Sequence, residues 1–112
     1  MEQNKDNYLG IDRQEGEIAL YGALRAIEAL RPLGDDELRR AAAAVIEADI
    51  AYMRQAGVDK GAAYDEDAAF SASRCALSAA LPKRQQYWDE LADFAMEAWE
   101  VYLDAAGVID WE

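Results

Sequence analysis

Hydrophobic residues recur at intervals of three and four along most of the chain, which is the spacing of an amphipathic α-helix. The pattern predicts four helices, over about 13–30, 35–56, 65–81 and 82–106. Their predicted buried stripes are Leu20, Ala23, Leu24, Ile27 and Leu30; Leu38, Ala42, Val45, Ile46, Tyr52, Met53 and Ala56; Ala69, Phe70, Ala76, Leu77, Ala80 and Leu81; and Trp88, Leu91, Ala92, Ala95, Met96, Trp99, Tyr102, Leu103 and Ala106.

Residues that start and stop helices fall at the borders of these segments. Asp12 starts the first helix as part of a capping box, and Pro32 ends it. Gly34 is the expected N-cap of the second helix, and Gly57 the left-handed residue that follows it. Pro82 fits the first turn of the fourth helix, with a kinked continuation of the third helix as the alternative.

The ends of the second and fourth helices carry similar sequences. Residues 47–58 and 97–108 are identical at six of twelve positions, through the glycine that closes each helix. We interpret this as an internal repeat of about 50 residues, although two alanine-rich helices can also agree by coincidence. The expected fold is all-α, a four-helix bundle built from two similar antiparallel hairpins, 12–57 and 62–107. A polar segment, 1–11, precedes this single domain, 12–112.

Composition removes several kinds of chemistry. The chain has no histidine, which is the commonest general base and metal ligand in proteins. Its one cysteine, Cys75, excludes an internal disulfide and is expected to pack as a small buried hydrophobe. No phosphate-binding loop, nucleophile motif or zinc-ligand spacing occurs. We therefore expect no enzymatic activity, no cofactor and no metal.

The formal net charge of −12 indicates the kind of partner. Half of it comes from residues 82–112, which hold eight acidic and two basic residues. Such a chain is repelled by nucleic acid and anionic lipid and attracted to basic protein surfaces. No apolar run reaches membrane-spanning length, and the first residues do not form a signal peptide. These features predict a cytoplasmic protein without membrane contact or direct nucleic-acid binding.

A line of acids on the fourth helix is the main candidate for binding a partner. Its members recur at spacings of three and four, which places them on one face: Asp89, Asp93, Glu97, Glu100 and Asp104. With Glu90 they give one charge per about 4 Å of helix, against about 3.4 Å along a DNA strand. We interpret this acidic ridge as a surface that binds a basic protein, with an ordinary solvated face as the alternative.

Two charged residues fall inside apolar stripes. Asp49 lies on the second helix between Val45 and Tyr52, and Arg74 lies on the third between Phe70 and Leu77. Because an isolated buried charge is costly, we expect Asp49 and Arg74 to pair across the bundle. The alternatives are that Asp49 faces solvent, that it lies at a subunit interface, or that it belongs to a functional polar pocket that includes Tyr52 and Tyr102.

Three functions follow from these features. The first is a small acidic interaction module, an inhibitor or DNA/RNA mimic that binds a basic nucleic-acid-handling protein. The second is a structural module that self-associates through Ile18, Tyr21 and Arg25, or through Trp111. The third is a Mg²⁺-dependent hydrolase that uses Glu97 and Glu100. The protein is expected to be a monomer or a homodimer.

Overall fold

A computed structural model describes residues 11–105, and these residues form an all-helical fold without strands. The helices are α1 (Arg13–Arg25), α2 (Asp35–Ala56), α3 (Glu66–Ala80) and α4 (Trp88–Ala105). Short 3₁₀ turns, Glu28–Leu30, Val58–Lys60 and Gln85–Tyr87, lie in the three connections. Each helix packs on the next, α4 packs back on α1, and α2 also contacts α4 across the middle. This packing is consistent with a four-helix bundle.

The predicted stripes supply most of the core. Fully buried positions include Leu24 of α1, Val45 of α2, Leu77 of α3 and Trp99 of α4. Ala41 and Ile50 are also buried, because α2 lies against three other helices and is covered around more of its circumference than a single stripe. Ile11 is 0% exposed and belongs to the core, so the predicted polar segment 1–11 is wrong at its last residue.

The predicted helix caps are present in the structure. The side chain of Asp12 accepts a hydrogen bond from the Glu15 backbone N–H, which caps α1. The Gly34 N–H donates to the Glu37 carboxylate at 2.9 Å, so this acid caps the start of α2. A further cap, for which no prediction was made, is Asp65, which accepts from two backbone N–H groups in the first turn of α3. Gly57 ends α2 with φ of +80°, a conformation that favours glycine.

Two predicted helix boundaries are wrong. The first helix ends at Arg25, and Ile27 is extended before a 3₁₀ turn. This change of conformation interrupts the helical period and lets both Leu30 and Leu33 reach the core. The fourth helix begins at Trp88, so Pro82 lies in the connection and not in the first turn of α4.

Two interactions hold the connection between α3 and α4. The Trp88 indole N–H donates to the carbonyl of Leu81 at 2.9 Å. The guanidinium of Arg84 donates to both carboxylate oxygens of Glu37, at 2.7 and 2.9 Å. These hydrogen bonds from Arg84 are the largest cause of the lowered pKa of Glu37. A bidentate pair of this kind fixes geometry as well as charge, so the connection is tied to the start of α2.

Among the helices in residues 11–105, none combines the length and the apolar character that crossing a membrane requires.

Candidate functional site

The acidic ridge lies on the surface of α4, as its spacing predicts. Asp89, Asp93, Glu97 and Asp104 are exposed, whereas Glu100 is half-buried. Asp89 forms an ion pair with Arg74 of α3. It is the only ridge member in an ion pair within the part of the chain that the structure describes. The other four ridge carboxylates form no ion pair with any residue in 11–105.

The structure adds a second acidic side to this ridge. The first turn of α3 carries Glu66 and Asp67, and these residues line the same open groove as three ridge members, Asp93, Glu97 and Glu100. Phe70 and Met96 complete the lining of the groove, which has a volume of about 390 Å³. We name these seven residues the acidic groove. A smaller depression beside it is lined by Glu66, Glu97, Glu100, Val101 and Asp104.

Glu100 differs electrostatically from the other ridge residues. Partial burial raises its pKa to about 6, and the negative charges of Glu66, Asp49 and Glu97 act in the same direction. Glu66 lies on α3 and Asp49 on α2, whereas Glu97 lies one turn away on α4 itself. Much of the rise in the pKa of Glu100 therefore depends on the tertiary packing. Glu100 is therefore partly protonated at mildly acidic pH.

The predicted pair of Asp49 and Arg74 does not form. Asp49 is 0% exposed, and its two carboxylate oxygens accept hydrogen bonds from Tyr64 Oη at 2.7 Å and Trp99 Nε1 at 2.6 Å. We name these three residues the Asp49 clasp. Arg74 turns outward to Asp89 and lies over the Trp88 ring, 5.7 Å from its centroid. Neutral donors can satisfy a buried carboxylate, so no basic residue has to be buried with it.

Burial also raises the pKa of Asp49, against the opposing effect of its two hydrogen bonds. The pKa of Tyr64 is raised as well, by burial first and by the nearby charge of Asp49 second. Tyr64 is therefore a neutral hydroxyl throughout the ordinary pH range. The Asp49 clasp is closed to solvent at the carboxylate, so it is not the open polar pocket that was one of the alternatives for Asp49.

Tyr52 and Tyr102, the tyrosines of the polar-pocket alternative, each contact the start of a helix. The hydroxyl of Tyr52 accepts a hydrogen bond from the backbone N–H of Asp65, the N-cap of α3, at 2.9 Å. The hydroxyl of Tyr102 lies 3.3 Å from the Glu15 carboxylate and 3.5 Å from the carbonyl of Asp12, the N-cap of α1. These contacts join helices α2 and α4 to the opposite hairpins.

The prediction that Cys75 is buried is wrong, because this thiol is exposed. Ser73, two residues earlier, occupies the buried position and places its hydroxyl 3.2 Å from the sulfur of Met96. Ser73 lies one helical turn from both Ala69 and Leu77, whereas Cys75 lies about 200° away from Ser73 around the helix, so the helical period favours burial of Ser73.

In residues 11–105, no group of three or more acidic or cysteine side chains is placed to hold a metal ion. Glu97 and Glu100, the residues of the hydrolase hypothesis, lie in the acidic groove. Trp111, considered for a dimer contact, lies outside the described residues. Ile18, on the other candidate contact, is 70% exposed.

Comparisons with protein-family models, with curated protein sequences and with solved structures found no match. The geometry of the acidic groove and of the Asp49 clasp is therefore the basis for the functional argument.

The sequence pattern missed Glu66, Asp67 and Tyr64 as site residues. Glu66 and Asp67 lie in the first turn of α3, where acidic residues favour the start of a helix, so helical propensity alone accounts for them. Tyr64 lies in a loop, where hydrophobic periodicity carries no information. A tyrosine directly before an N-cap was the available signal, because a hydrophobic residue at that position often packs against the fold and fixes how the chain enters the helix.

Proposed function

We propose that this protein is a non-enzymatic interaction module that binds a basic protein surface through the acidic groove. The observation that supports the proposal is the convergence of five carboxylates from two helices around Phe70 and Met96. Carboxylates on both sides of a groove attract a cationic side chain more strongly than one exposed helix face does, because they act on it from two directions.

The apolar part of the groove supports the same class of partner. Lysine and arginine carry their charge at the end of an aliphatic stem, which packs on apolar surface while the charge stays near water. Phe70 and Met96 offer such a surface among the acids. Phe70 also offers an aromatic face to a cation, and methionine adapts readily to differently shaped partners.

The finer form of the proposal is that the ridge imitates a nucleic-acid strand and so blocks a nucleic-acid-handling protein. Its support is the charge spacing of about 4 Å along α4, which is close to the phosphate spacing of DNA. The ion pair of Asp89 with Arg74 and the raised pKa of Glu100 reduce the charge at two of these positions. The mimic therefore depends most on Asp93, Glu97 and Asp104.

A salt series with a defined cationic probe tests the binding surface. We expect an oligo-arginine peptide to bind the wild-type protein, with an affinity that falls steeply as salt screens the charges. The variant D93N/E97Q/E100Q removes the acids of the α4 side and is expected to lose about tenfold or more in affinity. The matched control E17Q/D35N/E90Q removes the same formal charge from exposed positions outside the groove.

Equal weakening by both triple variants would show that only net charge matters, and it would contradict the groove proposal. The mimic is tested separately by competition. A basic nucleic-acid-binding protein captured from lysate should be released by DNA or RNA as well as by salt, and DNA that fails to displace it would reject mimicry.

Self-association is a second candidate function, because α1 exposes an apolar surface. Ile18 is 70% exposed and lines an open groove with Gln14, Glu17, Tyr21 and Arg39. The Arg39 guanidinium lies 4.7 Å from the centroid of the Tyr21 ring. Light scattering over a concentration series tests this surface: a dimer that I18K dissociates supports it, and a monomer at all concentrations rejects it.

We also propose that the bundle arose by duplication of one hairpin. Asp49 and Trp99 are equivalent positions at an offset of fifty, and they contact each other between α2 and α4. Tyr52 contacts the start of α3, and its equivalent, Tyr102, contacts the start of α1. This exchange is the pattern expected of two halves related by an approximate two-fold axis. Related sequences in which identities at this offset are no more frequent than at other offsets would reject duplication.

A further inference from the structure

The Asp49 clasp joins three parts of the fold at one buried carboxylate. Asp49 belongs to α2, Trp99 to α4, and Tyr64 to the loop just before α3. Each donor uses a different oxygen, with Trp99 on Oδ2 and Tyr64 on Oδ1. Asp49 is completely buried, so the clasp is a structural element beneath the surface and not a surface contact.

The two donors respond differently to a proton on Asp49. An indole N–H can only donate, so Oδ2 must keep accepting from Trp99 in both protonation states. A tyrosine hydroxyl can donate or accept, so the Tyr64 hydroxyl can reverse its direction and accept from a proton on Oδ1. Protonation therefore leaves the bond to α4 in place and changes the bond to the loop.

The loop residue that responds is attached directly to the acidic groove. Tyr64 precedes Asp65, the N-cap of α3, and the groove residues Glu66 and Asp67 follow at once. Tyr52 accepts from the Asp65 N–H and packs edge-on against Tyr64, with ring centroids 5.7 Å apart. A change at the Tyr64 hydroxyl is thus passed to the side of the groove that α3 provides.

We infer that Asp49 is a positioning residue for the acidic groove, and that a proton on its carboxyl group shifts the first turn of α3 through the Tyr64 hydroxyl. The effect on partner binding rests on the proposed function; the coupling between Asp49 and α3 does not. The proton is exchanged with solvent, and no covalent bond other than the O–H bond is made or broken.

Titratable groups from α2, from the loop before α3 and from α4 lie around Asp49. Tyr52 lies on its own helix, Tyr64 comes from the loop, and Glu100 acts on it from α4, with Glu66 of α3 acting on Glu100. Packed against the clasp, α1 brings Gly16 next to the Trp99 ring. Burial raises the pKa of Asp49, and the hydrogen bonds from Tyr64 and Trp99 oppose this rise.

A pH titration followed by two-dimensional ¹H–¹⁵N NMR tests the coupling in the full chain. The Trp99 indole N–H reports directly on Asp49, and the backbone amides of Glu66 and Asp67 report on the first turn of α3. Between about pH 8 and about pH 4, we expect these amides to show a transition with the same midpoint as the indole, within about 0.3 pH units.

Two variants separate this coupling from the titration of the surface acids. D49N mimics the protonated state, because its amide carbonyl accepts from Trp99 while its NH₂ group donates to a reversed Tyr64 hydroxyl. Y64F removes the Tyr64 hydroxyl and with it the reversible bond to Asp49. Both variants should remove the shared transition from the Glu66 and Asp67 amides, whereas the transition of Glu100 remains.

An indole resonance that does not titrate, or an amide transition that persists in D49N and Y64F, would overturn the inference.

Peptide binding at about pH 7.5 tests its functional consequence. We expect D49N and Y64F each to weaken oligo-arginine binding by about fivefold, a typical size for coupling between two sites. Weakening by D49N alone would reflect the lost charge and would overturn the positioning role. A wild-type protein that binds no peptide would reject the proposed function while the NMR result still decides the coupling.

Discussion

Asp49 and Glu100 are two carboxylates that act on each other electrostatically, yet they have opposite local environments. Asp49 is completely buried and accepts two short hydrogen bonds. Glu100 is half-buried, and its surroundings are Glu66, Glu97 and Asp49. In the described part of the chain, no ion pair or side-chain hydrogen bond with Glu100 is present.

The comparison shows that burial alone does not determine what an acidic residue contributes. At Asp49, two fixed donors offset much of the cost of removing a carboxylate from water. At Glu100, partial burial is combined with like charges, so the ionised form is disfavoured without compensation. The arrangement at Asp49 stabilises the tertiary structure. The arrangement at Glu100 leaves an ionised carboxylate that a nearby cation would stabilise.

Removing the carboxylate from the clasp should have the largest effect on stability. D49A leaves the Tyr64 hydroxyl and the Trp99 N–H buried without an acceptor, at about 1–3 kcal/mol for each donor. We expect the free energy of unfolding, measured in urea, to fall by about 2–5 kcal/mol. D49N keeps an acceptor for Trp99 and should cost about 1 kcal/mol. Equal losses for the two variants would contradict the assigned hydrogen bonds.

Crowding the Trp99 ring from α1 should also lower the stability of the fold around the Asp49 clasp. In G16A the new Cβ would lie 2.9 Å from Cζ3 of Trp99, so the ring must move. We expect a loss of about 1–3 kcal/mol, a typical cost of overpacking. G22A is the matched control in the same helix, where no atom lies within 4 Å of the new Cβ. It should gain about 0.5–1 kcal/mol from helix propensity. A neutral G16A would show that the packing of α1 on α4 is loose.

Glu100 should make the fold more stable as the pH falls. Its pKa of about 6 in the folded protein lies above the ordinary value of 4.5, so the folded state binds this proton more tightly. Stability attributable to Glu100 therefore rises as the pH is lowered through about 6 and is complete below the unfolded value.

The size of this effect is expected to be about 1 kcal/mol or less, because the open groove is screened by solvent and salt. E100Q should raise stability at pH 7.5 and reduce its change between pH 7.5 and pH 5.5. Urea unfolding at the two pH values measures both effects. E90Q, on the exposed side of the same helix, serves as the control. A wild-type protein that loses stability over this interval would contradict the sign. Glu37 has a lowered pKa, so its contribution to the stability of the fold is instead lost as the pH falls further.

The smallest effect is expected at Cys75. Because this thiol is exposed, C75S should change the free energy of unfolding by no more than about 0.5 kcal/mol. A thiol reagent should modify the native protein at a rate close to that of a free thiol, without prior unfolding. S73V at the neighbouring buried position provides the contrast, because it puts a branched side chain against Met96. Slow, unfolding-limited modification of Cys75 would show that the thiol is covered.

Much of the helical architecture could be predicted because it depends on local chemistry. The period of three and four identified α2 and α3 nearly to their ends, and the caps at Asp12, Gly34 and Gly57 were correct. The errors at Ile27 and Pro82 lie where the chain leaves helical geometry to satisfy distant packing. Propensity and periodicity do not contain that information.

The candidate site was predicted only in part. The ridge on α4 follows from helical spacing alone, and the structure leaves most of it exposed. The groove needs α3 beside α4, and Tyr64 and Trp99 at Asp49 need a loop and two helices to converge. Asp49 was recognised as a buried carboxylate in need of a partner, but Arg74 was the wrong partner.

The amino-acid sequence by itself determined four helices, their apolar faces and a row of carboxylates on α4, because each is set by residues within a few turns of one helix. Tertiary structure decided the partners of Asp49 and the raised pKa of Glu100. These properties depend on groups that are far apart in the chain, such as Asp49 and Trp99, fifty residues apart. Burial and hydrogen bonding are properties of the assembled bundle, and a helical repeat does not specify which groups from other elements will meet there.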